Sequence, residues 1–120
     1  MIQPITLGEL IEQLSKCNKT AHVYFDFCGL RPTGLGSYRG YYDQLALGWK
    51  EEGLVTVGDL LAECQSAIGQ TYEGYKGGEF KMSKSTPVWA ANYGRSDSTA
   101  IKKIENLGDY HVIIVTRYMK

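Results

Sequence analysis

The chain has no surplus of charge of either sign: thirteen Lys and Arg stand against thirteen Asp and Glu, for a formal net charge of zero. That excludes a global positive field recruiting nucleic acid, leaves room for a local basic pocket, and removes an electrostatic barrier to self-association. No apolar run approaches the roughly 20 residues a membrane span needs. The opening MIQPITLGEL has neither the basic nor the apolar region of a secretory signal. The expectation is a soluble intracellular protein. Cysteine is scarce. Cys17, Cys28 and Cys64 are odd in number and lack C-x-x-C spacing, which argues against a disulfide framework or a zinc site. They read instead as small buried hydrophobes.

Familiar catalytic patterns are also missing. There is no phosphate loop of the Gly-x-x-x-x-Gly-Lys-Ser/Thr form, no Gly-x-Ser-x-Gly elbow and no pair of histidines one helical turn apart. Gly34-Leu-Gly36 opens no helix, so a dinucleotide fingerprint is not supported. His22 and His111 fall within strand patterns and are expected to be structural. Cys28, after a strand and before a Gly-rich loop, is a weak nucleophile candidate, and Asp26 and Asp43 are carboxylates whose pairing sequence alone leaves open. The expected catalytic set, metal and cofactor are therefore none.

What is present is the composition of one globular domain over residues 1–120: 43% apolar and 22% charged. Leu7, Leu10, Ile11 and Leu14 recur at helical spacing over residues 6–17, with Thr6 and Glu9 arranged as a capping box and Asn18 as a stop. A second helix is expected over Val57–Ile68, capped by Thr56 and Asp59 and closed by Gly69. Ile5-Thr-Leu-Gly-Glu-Leu-Ile and Val55-Thr-Val-Gly-Asp-Leu-Leu share a pattern 50 positions apart. A duplicated helix-strand unit is one explanation, and shared capping grammar is the preferred one.

The remainder reads as strand: His22–Phe27, Leu45–Trp49, Phe80–Met82, Val88–Asn92, Ala100–Leu107 and Tyr110–Tyr118, with a hairpin at Gly108-Asp109. Val112–Val115 is the most continuously apolar piece and is placed centrally. The fold class is α+β, a mostly antiparallel sheet of about five or six strands with two helices packed on it.

Two stretches are chemically unusual. Gly29–Tyr42, read as a long loop, holds Arg31, Tyr38 and Arg39 among four glycines and three tyrosines. Glycine allows close backbone approach, arginine offers a planar fork to phosphate, and tyrosine adds stacking surface. Thr71–Phe80 and Trp89–Arg95 repeat the mixture, with Trp89, Asn92, Tyr93 and Arg95 able to supply a ring, a base-edge partner and a cation. Together they suit a phosphorylated, ring-bearing ligand.

The runs Phe25-Asp-Phe-Cys-Gly, Pro32-Thr33, Ser37-Tyr-Arg-Gly-Tyr-Tyr-Asp43, Leu45-Ala-Leu-Gly48, Gly74-Tyr-Lys-Gly-Gly-Glu-Phe80 and Thr86-Pro-Val-Trp-Ala-Ala-Asn-Tyr-Gly94 resemble the first Thoeris anti-defence family of phage proteins. The resemblance implies a non-enzymatic sponge in the cytoplasm of the infected bacterial host. Such a protein sequesters the cyclic ADP-ribose signal made by TIR-domain enzymes, in a pocket between protomers of a dimer or hexamer. It also implies that Phe80 and Asn92 stack the base and that Arg39 and Arg117 clamp the phosphates, with Arg31 and Arg95 next in line. Some members of the family hold cyclic di- or trinucleotides at a separate site. No membrane and no long nucleic acid are expected as partners. The alternative is a protein-blocking inhibitor of the anti-CRISPR or anti-restriction kind, since Tyr and Arg also anchor protein interfaces.

Overall fold

Both helices form where their capping residues place them. In the computed structural model, which describes residues 4–26, 29–37, 45–69, 71–73, 79–90 and 98–119, α1 spans Leu7–Ser15 and α2 spans Val57–Ala67. Each begins with a complete capping box: the Thr6 hydroxyl accepts from the Glu9 N–H and the Glu9 carboxylate accepts from the Thr6 N–H, and Thr56 and Asp59 do the same. Two otherwise orphaned amides are thus satisfied at each start. Gly69 follows α2 at φ +81°, a left-handed conformation that glycine adopts without a Cβ clash.

Among the described residues, eight strands follow in chain order: β1 (His22–Phe25), β2 (Arg31–Ser37), β3 (Leu45–Lys50), β4 (Thr71–Glu73), β5 (Glu79–Lys81), β6 (Val88–Ala90), β7 (Ser98–Asn106) and β8 (His111–Met119). Six of them make one sheet in the order β1-β8-β7-β6-β3-β2, and β4 and β5 pair separately. The α+β class with two helices therefore stands. Four of the six strand pairings are antiparallel, while β1 beside β8 and β3 beside β6 are parallel. The sheet curls until its ends meet, where the Phe25 N–H donates to the Leu30 carbonyl at 2.7 Å. β8, the most apolar strand, is flanked on both sides, as expected.

Two expectations need correction. Residues 31–37, read as part of a long loop, form β2. Its glycines and Pro32 are poor strand formers, but pairing with β3 supplies the backbone partners, and a bulge between Pro32 and Leu35 absorbs the irregularity. The other correction concerns the shared Thr-x-Gly pattern, which is more than capping grammar.

The run α1, β1, β2, β3 matches α2, β6, β7, β8, with β4 and β5 inserted after α2, and the two units interlock. Val23 and Phe25 register with Val112 and Ile114 just as Val88 and Ala90 register with Leu45 and Leu47. The bulge in β2 recurs in β7 between Ile101 and Lys103. Each helix start docks on the other unit. Leu7 and Gly8 donate to the carbonyls of Thr86 and Lys84, both at 2.8 Å, and Val57 and Gly58 donate to those of Ala21 and Lys19, both at 2.9 Å. A Cβ on Gly8 would lie 3.0 Å from the Lys84 oxygen, and one on Gly58 3.2 Å from that of Lys19, so the same close approach favours glycine at both positions. Helix side chains complete the match: the Ile104 N–H donates to Gln13 Oε1 at 2.6 Å, and the Leu35 N–H to Glu63 Oε2 at 3.0 Å.

One buried cluster joins both units, with Leu7, Leu10 and Leu14 from α1, Val57, Leu60 and Cys64 from α2, and Val23, Phe25, Leu45, Leu47, Val88, Val112 and Ile114 from the strands. Along β1, β3 and β6 these inward residues alternate with half-buried ones, the period-two pattern of a sheet with one face in the core.

Candidate functional site

The alternation that sends Val88 and Ala90 inward leaves Trp89 half-buried on the other face of β6. Its partner on β3 is Ala46 and its partner on β7 is Ala100, which in turn registers with Arg117 on β8. Trp89, Ala100 and Arg117 thus share one row across three adjacent strands. With strands about 4.8 Å apart, the backbone positions of Trp89 and Arg117 are about 10 Å apart. Two of the residues expected to bind ligand are brought together here, with an alanine between them.

The matching row of the first unit is built differently. Tyr24, the counterpart of Trp89, registers with Ile113, and the Arg31 guanidinium lies over its ring at 5.0 Å from the centroid. Arg31 Nη1 also donates to the carbonyls of Gly29 at 3.1 Å and Glu51 at 3.0 Å, while its Nε is buried without a hydrogen-bond partner. Cation–π contact and carbonyl bonds therefore hold this guanidinium against its own chain. Arg31, a ligand-binding candidate, is here a residue that ties β1, β2 and the chain after β3 together.

Phe80 lies on β5, paired with Tyr72 on β4, in the separate two-stranded sheet. Tyr38, Arg39, Asn92, Tyr93 and Arg95, with Cys28 and Asp43, lie outside the described residues. Their attachment points are described. Ser37 and Leu45, which bracket 38–44, sit level with Val88 at the start of β6, whereas Ala90 and Ser98, which bracket 91–97, sit at its end.

Asp26 has a definite role. Just beyond the β1–β8 pairing its carboxylate accepts from the Thr116 N–H at 2.9 Å and from the Thr116 hydroxyl at 2.5 Å. It fixes the residue immediately before Arg117.

Sequence reasoning placed both histidines in structural roles, yet both line a surface cleft of about 610 Å³ with Asn18, Thr20, Asp109 and Tyr110. His22 and His111 are register partners on β1 and β8, and the His111 ring lies 5.9 Å from that of Tyr24, tilted by 39°. The periodicity located the strands but not the side of the sheet these rings occupy. A smaller cleft of about 280 Å³ is lined by Pro32, Lys50, Leu54, Asp59 and Glu63 among others.

Cys17 and Cys64 are buried free thiols. Burial pushes the Cys64 thiol up to about 12, with the nearby Glu63 charge adding to the effect, and burial also raises Cys17 against the opposing charge of Lys19. Neither is poised as a thiolate nucleophile at neutral pH. Among the described residues, no group of three or more His, Cys, Asp or Glu is placed to hold a metal, and no helix is long and apolar enough to cross a membrane. No family model, curated protein or solved structure matches the chain.

Proposed function

We propose that the protein binds and sequesters a cyclic ADP-ribose type signal without cleaving it, acting as a phage anti-defence protein in the bacterial cytoplasm. The observation that carries this reading is the row Trp89–Ala100–Arg117, which puts a stacking ring and a guanidinium-bearing position about two strand spacings apart. A ring and a cation-bearing position on one row suit a ligand that carries both a base and phosphate. A base stacked on an aromatic ring contributes about 1–3 kcal/mol and each charge-assisted hydrogen bond about 1.5–3 kcal/mol. One stack and two arginine contacts together supply about 4–9 kcal/mol against an association cost of about 4–15 kcal/mol, so a tight complex calls for further contacts. The resemblance adds Phe80 and Asn92 as the base-stacking pair and Arg39 beside Arg117 as the phosphate clamp. It also suggests a pocket completed by a second protomer, and a separate site for cyclic di- or trinucleotides.

The test is substitution at two of these positions. Phe80→Ala and Arg39→Ala are each expected to abolish tight binding in calorimetry while the variants melt as the parent does. Parental affinity in both would remove the site assignment.

The rival reading, a protein-blocking inhibitor, has one observation in its favour. The β7–β8 hairpin exposes Leu107 by 57% and Tyr110 by 77%, and such residues anchor interfaces. An inhibitor of this kind forms a stoichiometric complex with a host protein, loses it on Tyr110→Ala, and ignores cyclic nucleotides.

A further inference from the structure

The chain contains two histidines, and the fold sets them side by side. His22 opens β1 and His111 opens β8; the strands are parallel neighbours and the two residues are register partners. The His22 N–H donates to the Tyr110 carbonyl at 2.8 Å, which ties the strands together at this row. Val23, Phe25, Val112 and Ile114 are buried, so the alternation of each strand sends His22 and His111 to the same outer face. Neighbouring strands lie about 4.8 Å apart, which puts both imidazoles within reach of one ion. Both line the cleft of about 610 Å³.

The scaffold does not ask for histidine here. His22 forms an isolated bridge with Thr56, the cap of α2, and in the matching place Pro87 forms the same bridge with Thr6, the cap of α1. A position that accepts proline in one unit carries an imidazole in the other. The His111 ring is also held: it lies 5.9 Å from the Tyr24 ring, which Arg31 covers on its own account at 5.0 Å. A side chain already ordered by its neighbours gives up less entropy on binding.

We propose that His22 and His111 form a binding site for a divalent transition metal ion, Zn²⁺ or Cu²⁺. Imidazole is a favoured ligand of both ions, and two imidazoles in one row act as a chelate. Asp109 lines the same cleft, but among the described residues no set of three His, Cys, Asp or Glu is placed around an ion. The ion therefore keeps open positions toward the cleft, for water or a donor atom of another molecule. At about 3.3 Å per residue this row lies about 20 Å along β8 from Arg117, so the site is separate from the row of Trp89.

The test uses the full-length chain without an affinity tag, titrated with Cu²⁺ and read by electron spin echo modulation, which counts the imidazoles bound to the ion. One Cu²⁺ per chain carrying two imidazoles is expected. The chain has no further histidine, so the count identifies both ligands. His22→Gln and His111→Gln are each expected to leave a single imidazole on the ion and to weaken binding by about tenfold or more, while melting as the parent does without metal. Should His111→Gln melt early through loss of the Tyr24 contact, His22→Gln alone decides. Calorimetry with Zn²⁺ repeats the comparison with an ion that has no redox chemistry. Absence of stoichiometric binding, a single imidazole on the parent's ion, or parental affinity in His22→Gln overturns the proposal.

Discussion

In the first unit of the chain the ring beside the parallel seam, Tyr24, is covered by the Arg31 guanidinium; in the second the same place holds Trp89 beside Ala100, in a row that ends at Arg117. The positions the two units share are those that make the fold: the Thr caps, the helix glycines, the inward-facing strand residues, the bulges and the helix side chains that bond them. The positions that differ lie on the outer face and in the connections. Arg31 over Tyr24 ties the outer face of the first unit to its own chain, whereas in the second unit an alanine, Ala100, stands beside the ring.

The comparison breaks most severely at Phe25, whose counterpart in the second seam is Ala90. Phe25 is 1% exposed. Phe25→Ala is expected to lower the unfolding free energy by about 3–5 kcal/mol in urea denaturation, because an aromatic volume is lost from the buried core. A loss below about 1 kcal/mol would mean that the first seam does not depend on its larger side chain.

Next come the side chains that cross between units. Gln13→Leu and Glu63→Leu each leave a half-buried N–H without its acceptor, at Ile104 and Leu35. Each is expected to cost about 1–3 kcal/mol. Because these bonds are made by counterpart residues, hydrogen exchange at Ile104 and Leu35 should quicken in the respective variants. Unchanged exchange at both sites would contradict the matched roles.

Leu14 in α1 and Cys64 in α2 hold matching places, both fully buried. The thiol makes the second unit alkali-sensitive. Above the ordinary value of 9.0 the unfolded thiol ionises, while the folded one stays protonated up to about 12. The folded state then binds more protons, so stability falls as pH rises across that window, with a contribution of about 1.4 kcal/mol per unit from this group. Cys64→Val should flatten the slope measured by denaturation between those limits. An unchanged slope would assign the alkaline loss to other groups.

The smallest effects are expected at the caps. Thr6→Ala and Thr56→Ala should each cost about 0.5–2 kcal/mol. Similar losses in the two would sharpen the equivalence of the helix starts, and a large inequality would weaken it.

Much of the helical half of the fold was legible because capping acts locally: Thr6 with Glu9 and Thr56 with Asp59 need only their own neighbours. The β7–β8 hairpin was legible for the same reason, since Gly108 at φ +115° announces its turn. β2 was not, because Gly34 and Gly36 carry no strand preference and the ladder with β3 decides their conformation. The duplication showed in the sequence only as the matched runs at Ile5 and Val55, because the strands that complete it pair with partners far apart in the chain. Gln13 and Glu63 look unrelated until both are seen bonding a strand just past a bulge. Of the site, the residue types were legible but not their partners. Arg31 and Arg117 look alike in sequence, and only the strand order separates the one lying over Tyr24 from the one in the row of Trp89.

The most direct measurement is calorimetric titration of the purified protein, its Trp89→Ala variant and its Tyr24→Ala variant with cyclic ADP-ribose isomers, followed by heat denaturation and mass analysis of the released ligand. The account predicts saturable binding by the parent and by Tyr24→Ala, loss of binding in Trp89→Ala, and recovery of ligand with its mass unchanged. Absence of binding to any isomer, equal loss in both variants, or a ligand of altered mass would contradict it.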